Sequence, residues 1–139
     1  MTRTVKWGCI APVLGLVALV GLVLALDAFL PSAARRALPD SATDIHEYYR
    51  DFGITGDFIR LLTARCSAEE FHAYARQQKL KPVIGDDLPD GCPSWSHSDE
   101  SWWTPPSSHV GGYFTFEEGG YRRLLAYHDG RLYYDLIGW

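Results

Sequence analysis

The chain has 139 residues, of which 47% are hydrophobic and 22% charged, and it carries a formal charge of −4. That acidity offers nucleic-acid phosphates no attractive field, and the length allows one modest domain beyond an N-terminal segment.

The run from Trp7 to Leu26 holds twenty consecutive residues without a charge. At about 1.5 Å of rise per residue such a helix spans roughly the 30 Å hydrocarbon thickness of a bilayer. The sequence therefore predicts a transmembrane helix, with residues 7–26 in the membrane and residues 1–30 as the anchor. A cleaved secretory signal shares the basic start, Arg3 and Lys6, but has a shorter apolar core of about 7–15 residues. Either reading places the remainder outside the cytoplasm. Pro31, Ser32 and Pro39 mark residues 31–42 as a stalk, and residues 43–139 form the extracytoplasmic domain.

From Asp40 onward there are nine Lys/Arg against sixteen Asp/Glu, a formal charge of −7. Two cysteines, Cys66 and Cys92, lie in this part. In an oxidising compartment they read as a disulfide that closes a 27-residue loop. In the chain-entropy model that closure stabilises by about 3–4 kcal/mol.

The first element, Ile45 to Phe52, is ambiguous. Ile45, Tyr48, Tyr49 and Phe52 recur with helical spacing, whereas tyrosines favour strands. Phe58 to Cys66 reads as a central strand because both its faces are largely apolar. Ser67 with Glu70 three residues on is a capping box, and Ala68, Phe71, Tyr74, Ala75 and Gln78 form one helical stripe that ends near Gln78 or Lys79. Residues 81–109 are dense in Pro, Gly, Ser and Asp, yet they carry Trp95, Trp102 and Trp103, which argues that much of this long loop is tied down. Tyr113 to Glu117, Tyr121 to His128 and Arg131 to Ile137 read as a meander turned by Gly119-Gly120 and Asp129-Gly130. The expected domain is α+β: a four- to five-stranded antiparallel sheet with one strongly apolar side covered by one helix, in the order β-β-α-β-β-β.

The apolar start, the Leu38-Pro39-Asp40-Ser41-Ala42 junction, the Ser67–Phe71 helix start and the Trp102-Trp103-Thr104-Pro105 loop resemble small uncharacterised bacterial membrane-anchored or lipoprotein-type extracytoplasmic domains. The resemblance implies that Ile45 to Phe52 is a strand. It also implies a single-pass protein of the bacterial cell membrane with its C-terminal domain outside the cytoplasm. It transfers no activity.

No G-x-S-x-G elbow, Gly-rich phosphate loop, C-x-x-C or H-E-x-x-H occurs, so an enzyme is not expected. His46-Glu47 begins like the zinc helix motif, but Arg50 stands where the second histidine would be. His97, Asp99, Glu100 and His109 supply metal donors without the regular spacing of a zinc site. Asp86, Asp87 and Asp90 before Gly91 depart from the calcium loop spacing. No metal and no cofactor are expected, and Cys66 or Cys92 paired with a histidine reads as a disulfide half rather than a nucleophile.

The aromatic loop is the candidate surface, with Trp95, Trp102, Trp103 and Pro105 as its binding residues. Trp102 and Trp103 are adjacent, so in an extended segment they point to opposite sides and only one is readily buried. They either close the end of a small core or recognise a ligand. The expected function is a membrane-anchored binding or accessory module that contacts a protein partner through this loop, with a cell-wall glycan or peptide as the alternative ligand.

Overall fold

The computed structural model describes residues 10–29, 31–53, 56–84, 94–117 and 120–139, with side chains of the first segment described for residues 12–22. The chain divides into two units, Met1–Ser32 and Ala33–Trp139. The first contains helix α1, Ile10–Phe29, on which Val13, Leu14, Leu16, Val17, Leu19 and Val20 are exposed. Among the described residues no helix is long and apolar enough to cross a membrane. This corrects the expected localisation: a transmembrane helix and a single-pass protein of the bacterial cell membrane are not supported.

The second unit begins with the short helix α2, Ala33–Arg36, and is otherwise built on one antiparallel sheet. Its strands are β1 (Thr43–Asp51), β2 (Phe58–Arg65), β3 (Lys81–Pro82), β4 (Tyr113–Phe116), β5 (Tyr121–His128) and β6 (Arg131–Gly138), in the spatial order β1-β2-β6-β5-β4-β3. Helix α3, Ala68–Gln77, lies between β2 and β3 in sequence.

The expected fold class, one transmembrane helix followed by a helix-covered sheet of four to five strands, is therefore corrected: among the described residues the chain is mostly sheet, six antiparallel strands with few helices and none able to cross a membrane. Two physical reasons account for the difference. Lys81 and Pro82 pair with Phe114 and Tyr113, and a proline, which has no N–H to donate, is tolerated at that outer edge. In addition, the sheet has two packed faces rather than one: Leu132, Tyr133, Tyr134 and Asp135 are consecutive on β6 and all buried.

One face packs on α3. Ser67 caps the helix, its hydroxyl accepting from Glu70 N while the Glu70 carboxylate accepts from Ser67 N at 2.8 Å. The capped turn aims Phe71, Tyr74 and Ala75 at Leu62, Leu125, Leu132 and Tyr134. Tyr74 also donates its hydroxyl to Ala34 O at 3.1 Å, which ties the segment before β1 to the helix.

Ile45 to Phe52 lies almost entirely in β1, and the sheet explains why its helical spacing misleads. Glu47 and Tyr49 pair with Leu62 and Arg60 on the helix face, while His46 and Tyr48 pair with Thr63 and Leu61 on the other. The register shifts between Thr43 and His46, where Asp44 takes a positive φ of 49°. β1 then begins with a bulge, which re-aims the side chains that follow it.

Cys66 follows β2, is half-buried, and has no disulfide partner among the described residues. Burial first, and Glu70 second, push this thiol up to about 11. Its expected partner Cys92 lies outside the described residues, as do Asp86, Asp87 and Asp90.

Candidate functional site

The face away from α3 is covered by the irregular segment from Ser94 to Gly112. Strand parity places Leu61 and Thr63 of β2, Arg122 and Leu124 of β5, and Tyr133 and Asp135 of β6 on this side. Four of these make an ordinary mixed surface for a covering loop, but Arg122 is a cation and Asp135 an anion.

Both side chains are fully buried, and Arg122 Nη2 donates to Asp135 Oδ2 at 2.8 Å. Much of the remaining capacity of the pair is spent on the loop. Ser96 donates from its backbone N to Asp135 Oδ2 at 2.7 Å and from Oγ to Oδ1 at 2.8 Å. Arg122 Nη1 donates to Ser94 O at 2.7 Å. Burial raises the Asp135 carboxyl above the usual carboxylate range, against the pull of Arg122 and the two Ser96 donors. A buried ion pair is tolerable when its leftover lone pairs and protons are bonded, and here the backbone of Ser94 and the backbone and hydroxyl of Ser96 supply several of those bonds.

From this anchor the three loop tryptophans spread over the sheet. Trp103 is 7% exposed, packs on Leu61 and Tyr133, and donates Nε1 to Ser96 O at 3.0 Å. Trp95 meets Trp103 edge-on at 5.9 Å and donates Nε1 to Pro106 O at 2.8 Å. His109 stacks on Trp95 at 5.3 Å, its buried Nε2 without a hydrogen-bond partner among the described residues; burial, with Arg122 second, holds this imidazole below its ordinary value.

Trp102 differs from its neighbours. It meets Trp103 edge-on at 6.0 Å but stays half-buried. Its ring stacks on His46 of β1 at 5.5 Å with an interplanar angle of 16°, and its Nε1 donates to Glu100 Oε2 at 3.1 Å. His46 is in turn held by Nε2 donating to Asp44 Oδ1 at 2.8 Å, and Arg131 donates to the other oxygen of the same carboxylate. Arg131 first, and His46 second, hold the Asp44 carboxyl below its usual value. The positive-φ Asp44 and its bulge thus fix the imidazole beneath Trp102.

Of the residues expected to form the site, Trp95, Trp102 and Trp103 come together. Pro105 is half-buried beside them, but the carbonyl that receives Trp95 belongs to Pro106. His46, Ser96, Arg122 and Asp135 were not expected. For Asp135 a signal existed, since it is a charge flanked on both sides by apolar residues inside β6, whereas Arg122 stands beside Arg123 in β5 and is not singled out by its neighbours. His46 carried no such signal, because its partner lies 56 residues away in sequence.

Among the described residues no three His, Cys, Asp or Glu side chains group to hold a metal ion. His97 and Asp99 approach each other at 3.5 Å on the exposed side of the loop, while His109 is turned against Trp95. No family model matches the chain, and no curated protein or solved structure matches it either.

Proposed function

We propose that the domain is a binding module that engages a protein partner through Trp102 and the loop surface around it. The observation that carries this reading is the contrast between two adjacent indoles: Trp103 is buried in the core, whereas Trp102 is held half-exposed on His46. Covering the sheet needs Trp103 but not the Asp44–His46–Trp102 arrangement. A large, rigid, amphipathic ring with its polar edge already satisfied matches the residues that dominate protein interfaces. Because Ser94 and Ser96 are clamped to a buried ion pair, the loop loses little freedom on binding, which lowers the entropic cost of association.

The test is crosslinking and affinity isolation from the native source with the unaltered chain and with Trp102→Ala, each confirmed folded by circular dichroism. A partner identified by mass spectrometry is expected with the former and lost with the latter. If the captured proteins are the same for both, Trp102 is not the contact.

A further inference from the structure

We infer that the partner presents a Lys/Arg-rich segment to Trp102, Asp99 and Glu100; the inference rests on the Trp102 surface being the binding site. From residue 82 to residue 121 the sequence contains seven Asp/Glu and no lysine or arginine. That stretch carries three of the five tryptophans, so the aromatic loop is also the acidic part of an acidic domain.

The structure places this charge at the indole. Glu100 is half-buried and bonded to Trp102 Nε1, which fixes a carboxylate at the rim of the ring. The preceding Asp99 has a fully exposed side chain. Cations of the neighbouring strands are engaged elsewhere. Arg131 and Arg65 face Asp44, Arg122 lies buried under the loop on Asp135, and the Arg50 guanidinium sits 5.2 Å from the Phe52 ring centroid.

An indole with carboxylates at its edge suits a guanidinium or ammonium, which gains from the ring quadrupole and from charge-assisted hydrogen bonds together. An acidic peptide would be repelled. A purely apolar segment would have to strip water from Asp99 and Glu100 without compensation.

The experiment titrates the full chain with a short fluorescein-labelled peptide rich in Lys and Arg, with Glu-rich and Gly/Ser-rich peptides of equal length as controls. Binding is followed by anisotropy at low and high salt. Asp99→Asn combined with Glu100→Gln removes both charges while Gln keeps an oxygen for Trp102 Nε1. The Lys/Arg peptide is expected to bind, and to bind about tenfold more weakly both at high salt and to the neutralised variant. Failure of the Lys/Arg peptide to bind the unaltered chain, or equal binding by the neutralised variant, overturns the inference. The two readings fail differently. A native partner lost with Trp102→Ala but kept by the neutralised variant leaves the site standing and removes the basic segment; a partner kept by both removes the site itself.

Discussion

Replacing Asp135 by alanine tests whether the buried ion pair holds the tryptophan loop. Asp135 accepts from Arg122 Nη2, Ser96 N and Ser96 Oγ, and neither side chain of the pair has any exposed area. The alanine leaves a guanidinium charge inside the domain without its carboxylate, a loss of about 3–5 kcal/mol in comparable pairs. It also strands the Ser96 N–H, for which about 1–3 kcal/mol is typical and overlaps the first figure. A total of about 4 kcal/mol is expected, a large share of the roughly 5–15 kcal/mol that keeps a domain folded. Urea unfolding followed by circular dichroism measures it, with the slope checked for constancy. A loss below about 1.5 kcal/mol would refute the reasoning, because that is the scale of an ordinary substitution. A second variant separates stability from loop placement. Arg122→Met with Asp135→Leu refills the space with apolar atoms and is expected to restore most of the stability. It still removes the acceptor of Ser96 and the donor to Ser94, so tryptophan emission should shift to the red and quench more readily. Unchanged emission in a stable double variant would show that the pair does not place the loop.

The other expectations are more local. His109 is held neutral below its ordinary value of 6.5, so the stability it contributes is fully present above pH 6.5 and is lost as pH falls from there through the lowered native value. His109→Phe keeps a ring against Trp95 and should remove that part of the acid sensitivity; an unaltered pH profile of urea midpoints would contradict this. Gly138→Ala would place a methyl 2.3 Å from the Phe58 ring, at a cost of about 1–3 kcal/mol that Phe58→Ala in the same chain should partly relieve, as a double-mutant cycle can show. Ser67→Ala removes the helix cap and should cost about 1 kcal/mol in urea unfolding. With its thiol pushed up to about 11, Cys66 should alkylate far more slowly at pH 8 than a free cysteine in solution, as peptide mass spectrometry would reveal; rapid labelling would contradict its burial.

Much of the domain was legible because its signals are local. The Ser67–Glu70 capping box reports on four residues, and Asp129-Gly130 makes its turn with positive φ at both positions, 49° and 76°. What stayed hidden depends on residues far apart in sequence. Whether Ile45 to Phe52 forms a strand is decided by pairing with β2, since its own spacing fits a helix. Lys81 and Pro82 become a strand only because β4 offers them an edge more than thirty residues later. The second packed face was missed because its cover is a loop without periodicity. Its best clue was chemical: Asp135, alone among apolar neighbours in β6, needs a buried counter-charge.

That cover also assigns different tasks to residues that look equivalent in sequence. The face opposite α3 must be closed by something, and Trp103 closes it, reaching Leu61 and Tyr133 while bonding back to Ser96. Truncating Trp103 would therefore cost several kcal/mol, as for any buried large aromatic, and would loosen the loop around Trp95 and Trp102. Loss of binding in such a variant would be a folding effect and would carry no information about contact. Trp102 lacks that burial and rests instead on a histidine fixed by a bulged strand and a carboxylate. Its truncation removes the proposed recognition surface while leaving the Arg122–Asp135 anchor and Trp103 in place. The two neighbouring indoles thus separate the loop's structural role from its proposed binding role, and only the Trp102 variant tests the second.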